Sequence, residues 1–219
     1  MERQNLVEKY WPVLLLAFFY AVGVLGHSLE NFLPLMKVLT PYTLLVSTAF
    51  VIYVTRNEWN KKVIIWAVAT FIFTFILEVV GVHTGVIFGR YTYGETLGFK
   101  LFEVPLIIGV NWVIIIYAVV SILTKATDNL LAFIFLAGTA VVAFDFVMEP
   151  VAVRLNYWMW EGDKIPFQNY LAWFLIAVIS ATGYFFLKQK PEKDVPIWYV
   201  GIQFLFFLLL SFILDANVF

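Results

Sequence analysis

Apolar runs of about 17 to 22 residues recur along this chain, each separated from the next by a short polar break. Wound as a helix rising about 1.5 Å per residue, such a run crosses a hydrocarbon layer roughly 30 Å thick. Backbone amides in that layer have no water to bond, so only helices or a closed barrel can span it. A barrel would need alternating strands of about ten residues, and that alternation is absent. The runs therefore predict an all-α fold: a polytopic integral membrane helix bundle of about seven transmembrane helices. Composition agrees, with 63% hydrophobic residues, 13% charged residues and a mean hydropathy of +0.90, far from soluble usage. The 219 residues are read as a single transmembrane domain, residues 1–219.

Spans are expected near residues 10–27, 40–56, 62–80, 103–123, 129–149, 168–188 and 196–214, the second of them short. The first follows a mixed-charge MERQNLVEK and precedes GHSLENF, which lacks a small-residue cleavage pattern. It reads as a retained helix rather than a signal peptide. Nine Lys and Arg fall on the side of the amino terminus and five on the other, which predicts a cytoplasmic amino terminus. Whichever way the chain inserts, the third-to-fourth and fifth-to-sixth loops emerge on the same face. These two are the longest loops and the richest in Gly, aromatic and charged residues, so they can share one site.

Several functions are excluded early. A formal charge of −1 leaves no basic tract for nucleic acid. Absence of cysteine removes disulfides, thiolate nucleophiles and cysteine-ligated metals. The seventh span, PIWYVGIQFLFFLLLSFIL, has no lysine for a retinal Schiff base, and the sixth gains one only at its end, Lys188. Transport stays open, although no pair of broken helices with ion-binding polarity stands out.

Ionisable residues inside lipid are expensive and are usually functional or paired. Asp145 and Glu149, in DFVMEPVAVRLNYWMWEG, stand four apart on one helix face. Pro150 is expected to end that helix at Glu149. Asp145 lies deeper, between Phe144 and Phe146. Lost solvation and a second carboxylate both disfavour ionisation, so one of the pair can hold the proton that a general acid needs. The alternative is that both pair with Arg90 or Arg154 and merely fasten the bundle.

The earlier stretch has a similar layout, with Glu78 followed by His83, Arg90, Tyr91, Tyr93 and Gly94. Internal duplication and convergence on common interface residues both remain open for this likeness. With only His27 and His83, and no HExxH or Glu-x-x-His pairs, no metal is expected. Arg90 either sits at the membrane interface or orients a carboxylate. Tyr91 and Tyr93 either form an aromatic belt or line a channel mouth. Asn111, beside Trp112 in the fourth span, must bond another helix or a water. Glu103 is expected near the cap of that span, with Pro105 in its first turn. Tyr157, Trp158 and Trp160 either anchor a loop or offer aromatic faces to a cation.

The segments LEVVGVHTGVIFGRYTYGETLGFKLFEVPLIIGVNW (77–112) and FDFVMEPVAVRLNYWMWEGDKIPFQNYLAWFL (144–175) cover nearly a third of the chain. They resemble the carotenoid biosynthesis membrane proteins that hydrate acyclic carotenoid ends, the gamma-carotene 1',2'-hydratase and bisanhydrobacterioruberin hydratase family. The resemblance implies cofactor-free addition of water across the terminal C1'=C2' bond of a ψ end group, giving a 1'-hydroxy carotenoid. It also implies a prokaryotic cytoplasmic membrane, a long-chain carotenoid arriving from the lipid, contact with membrane lipids, and other carotenoid-pathway enzymes as partners.

Physical requirements then distribute the roles. Protonation at C2' leaves the positive charge on the tertiary C1'. Asp145 is the first choice of acid, Glu149 the alternative, and Glu78 holds or deprotonates the water. Arg90, Arg154, Asn111 and His83 orient these groups, while Tyr91, Tyr93, Trp112, Tyr157, Trp158 and Trp160 contact substrate. Two rivals stand beside this reading: a lycopene-type cyclase, which begins with the same protonation, and a non-enzymatic carotenoid-binding or transport protein.

Overall fold

The structure, a computed structural model, describes residues 2–215. It contains seven helices: α1 (Glu2–Ser28), α2 (Leu33–Val54), α3 (Lys61–Thr84), α4 (Leu106–Ala126), α5 (Leu130–Arg154), α6 (Phe167–Phe185) and α7 (Val195–Ile213). All but α6 are long and apolar enough to cross a membrane. The chain is an integral membrane helix bundle. Four short strands lie in the two site-bearing loops: β1 (Tyr91–Tyr93), β2 (Lys100–Leu101), β3 (Val104–Pro105) and β4 (Trp158–Trp160).

Burial divides the helices into a centre and a shell. In α4, 67% of the span is buried, against 22% in α1. Every residue from Ile114 to Ser121 of α4 is buried, so this helix is packed all round rather than along one stripe. The outer helices turn residues such as Leu14, Phe18 and Phe212 outward. In a spanning bundle these are lipid contacts.

Local signals set the helix ends. Asn60 opens α3 by accepting from the amides of Lys62 and Val63, and Asn129 opens α5 by accepting from Ala132. Such side chains satisfy amides that have no partner within the helix. Gly85, at φ 69°, closes α3 in the left-handed conformation that a side chain disfavours.

Three boundaries differ from the sequence expectation. The second span is not short: α2 has 22 residues and begins at Leu33, because Pro34 lies in the first turn, where its missing donor costs nothing. The fourth starts later than residue 103. Residues 100–105 instead form the β2–β3 hairpin, with Phe102 and Glu103 both at positive φ (51° and 65°), as a two-residue turn requires. Glu103 is therefore an exposed turn residue and Pro105 the helix cap. Finally, α5 runs through Pro150 to Arg154. Proline removes one helical hydrogen bond, but Val151, Ala152 and Leu155 beyond it are almost wholly buried, and their packing carries the helix on.

Candidate active site

The two loops on the site face are joined as one piece. Strand β1 pairs antiparallel with β4, setting Tyr91 opposite Trp160 and Tyr93 opposite Trp158. Side chains alternate across a strand, and paired residues share a face. One face of this ribbon therefore presents Tyr91, Tyr93, Trp158 and Trp160 together, while Met159 on the other face is exposed. The junction is tight at Gly94, whose amide donates to the Tyr157 carbonyl at 2.9 Å. A Cβ added there would stand 2.1 Å from the Asn156 carbonyl oxygen.

The inward face meets two of three buried carboxylates. Glu78 Oε2 accepts from the hydroxyls of Tyr91 (2.5 Å) and Tyr93 (2.8 Å), and its Oε1 accepts from Trp112 Nε1 (2.9 Å). Glu149 Oε2 accepts from the indoles of Trp158 (3.0 Å) and Trp160 (2.9 Å). Asn169 of α6 bridges the α5 pair, its Nδ2 donating to Asp145 Oδ2 at 2.9 Å and to Glu149 Oε1 at 3.1 Å. Asp145 Oδ1 is buried with no partner among the described residues. Among the described residues, no ion pair includes Glu78, Asp145 or Glu149. All the donors to these carboxylates are neutral.

The loop phenols remain donors. Burial, then the neighbouring Glu78, hold Tyr91 and Tyr93 well above the ordinary phenol range, and burial pushes Tyr157 up to about 12.

Between the carboxylates lies a cavity of about 50 Å³, room for one or two waters. Glu78, Glu149, Asn169 and Asn111 supply its polar wall, and Trp112, Trp158, Trp160 and Trp173 much of the rest. The rings of Trp112 and Trp173 lie 3.9 Å apart at centroid, and those of Tyr91 and Trp160 5.0 Å. Asn111 Oδ1, on this wall, is a buried acceptor without a donor. Asp145 does not line the cavity. It stands one turn deeper, behind Asn169.

The sequence brought together most of these residues, including Tyr157, which also lines the cavity, but three placements need correction. Arg90 does not orient a buried carboxylate: it is exposed and lies 3.6 Å from Glu161, because it precedes inward-facing Tyr91 and strand alternation turns it out. Arg154 is exposed as well. Five residues after Glu149, it is rotated roughly 140° around α5. His83 is also exposed, 3.7 Å from Glu103.

Asn169, Trp173 and Gln203 were missed. Signals for two of them existed, since Asn169 and Gln203 are lone amides within apolar helices, where such groups need partners. Trp173 gave none, being one aromatic among many.

Comparison with known proteins agrees with this picture. The carotenoid biosynthesis protein family matches residues 39–218. A Haloarcula japonica protein named bisanhydrobacterioruberin hydratase is 31% identical over 122 residues, a match spanning 52% of this chain and 41% of that protein's length. No solved structure matches. The family match runs from residue 39, within α2, through α7 and takes in every residue of the carboxylate cage, so this chain belongs to the carotenoid biosynthesis protein family.

Proposed function

We propose that this protein is a carotenoid hydratase, adding water without a cofactor to the terminal C1'=C2' bond of an acyclic ψ end group. The observation that carries this reading is the Asp145–Glu149 pair: two buried carboxylates hydrogen-bonded to one amide, in no ion pair among the described residues, with Glu149 at the wall of an aromatic cavity. Like charges so placed favour one shared proton, and the pair then titrates as a unit. Glu149 faces the cavity and delivers the proton. Asp145, with its free oxygen, is the other half of the store.

The proton bonds to C2', the π pair leaves C1' electron-deficient, and a water oxygen bonds to C1'. Glu78 takes the proton that water gives up, and it returns to the pair between turnovers. The net change is one water added. The ionised carboxylate and the aromatic faces stabilise the tertiary cation in a cavity of low dielectric. Asn111 Oδ1, an acceptor without a donor, favours hydration over cyclisation because it supplies a place for water.

The test is pigment mass analysis in cells that accumulate lycopene or gamma-carotene. Gain of one water by the wild type, lost in Glu149→Gln and Asp145→Asn, supports the reading. An isomeric ring product would make the protein a cyclase, and unchanged pigment a binding or transport protein.

A further inference from the structure

The carboxylate cavity is far too small for a long polyene, so the body of the substrate must lie elsewhere. A second cavity of about 300 Å³ adjoins it, enclosed by α1, α2 and α7, with walls that include Phe19 and Gly23 of α1, Leu39 and Thr43 of α2, and Phe206 of α7. The two cavities share Leu44, Tyr157, Gln203 and Phe207 in their walls. Three of the second cavity's lining residues, Phe19, Leu39 and Val46, are 42%, 40% and 61% exposed, so it opens through the lipid-facing surface between α1 and α2.

Polar atoms on its wall also make a place for water beside an apolar occupant. His27 Nδ1 bonds the Gly23 carbonyl at 2.7 Å, and a carbonyl only accepts, so Nδ1 carries the hydrogen and Nε2 is an acceptor. Gln203 Nε2 donates to the hydroxyls of Tyr20 and Tyr199, both at 3.0 Å, which leaves Oε1 as an acceptor. Among the described residues, His27 Nε2 and Gln203 Oε1 are both buried with no partner, and buried acceptors in a native fold find donors.

We infer that the α1–α2–α7 cavity is the binding channel for the linear isoprenoid chain of the substrate, which enters sideways from lipid while its end group reaches the carboxylates past Leu44 and Tyr157. This rests on the hydratase reading for what happens at the far end. The apolar walls hold the chain, and water beside it satisfies the two acceptors. The α1 wall lies before residue 39, outside the segment that matches the family.

Thr43→Phe places a ring in the channel without touching the carboxylate cage. Ile72→Trp, on the lipid face of α3, is the control. The probes are lycopene and the ten-carbon 2,6-dimethyl-2,6-octadiene, which carries the same terminal alkene with almost no chain. Thr43→Phe is expected to lower the ratio of kcat/KM for lycopene to that for the short alkene at least tenfold, and Ile72→Trp to leave it unchanged. An unchanged ratio in Thr43→Phe, with thermal stability intact, overturns the channel.

Lycopene binding in nanodiscs, followed by induced circular dichroism of the polyene, separates the two readings. Binding by wild type that weakens at least tenfold in Thr43→Phe supports the channel even when no water is added, in which case the hydratase reading fails alone. Absence of binding by wild type, or full binding by Thr43→Phe, overturns the channel whatever the activity.

Discussion

Exposed ion pairs lie at both ends of this bundle, but among the described residues one end also buries carboxylates without them. At the end that carries the α2–α3, α4–α5 and α6–α7 loops, carboxylates meet cations in water: Lys125 lies 2.6 Å from Asp194 and Lys190 2.9 Å from Asp128, all partly or largely exposed. At the other end, Glu78, Asp145 and Glu149 are withdrawn from water and given phenols, indoles and an amide. Arg90 and Arg154, close by in sequence, are turned away. Burying an ion without a countercharge costs several kcal/mol, so the second arrangement is a poor fastening and the first an ordinary one. The difference teaches that the buried end is a costly fastening, which supports the proposed reading of a proton held close to hydrocarbon.

Five substitutions press on that contrast, beginning with the largest effect. Glu149→Gln or Asp145→Asn should lower hydration of a ψ-ended carotenoid by about 10²–10⁴-fold, the range for losing a positioned acid. Thermal unfolding in detergent should show little loss of stability for Asp145→Asn, whose amide oxygen still accepts from Asn169, and a loss of about 1 kcal/mol for Glu149→Gln, which turns one acceptor into a donor facing a donor. Full product formation with either variant would break the comparison at its centre.

Asn169→Leu comes next, because it removes the one donor common to Asp145 and Glu149. Two buried carboxylates then lose a partner together, at a cost of about 3 kcal/mol. An unchanged unfolding midpoint would mean that the bridge fastens nothing.

Gly94→Ala drives a methyl group into the Asn156 carbonyl and should part β1 from β4 at a cost of about 2 kcal/mol. Loss of activity larger than loss of stability is the expected pattern, because the ribbon aims four of the donors to Glu78 and Glu149. Equal losses would reduce the ribbon to a simple brace.

The smallest effect belongs to the opposite end. Lys125→Met should cost less than about 1 kcal/mol, the worth of a solvent-exposed pair, and the difference should shrink further in high salt. A loss of several kcal/mol there would erase the distinction between the two ends.

Much of this was legible from the chain, for identifiable reasons. Helix number followed from run length, and the meeting of two loops followed from counting crossings. Asp145, Glu149 and Glu78 announced themselves as acids in hydrocarbon. Pairing partners were less legible. The arginines looked like natural counterions, but strand alternation at Tyr91 and helical rotation after Glu149 depend on register, which a one-residue change would reverse. Trp158 and Trp160 read equally as loop anchors or as aromatic faces for the substrate, and only their position in β4 turned both indoles onto Glu149.

The sequence by itself determined that this is a membrane-spanning helix bundle with acids at one end, because hydrophobic length and the cost of charge in lipid are local properties that can be read residue by residue. Only the tertiary structure decided what those acids touch. Asn169 comes from a helix 20 residues beyond Glu149, and β1 finds β4 across two spans. The cavity exists only where α1, α2 and α7 close around space that no segment contains alone. Contacts of that kind depend on how distant segments are oriented in three dimensions, and spacing along the chain does not record orientation.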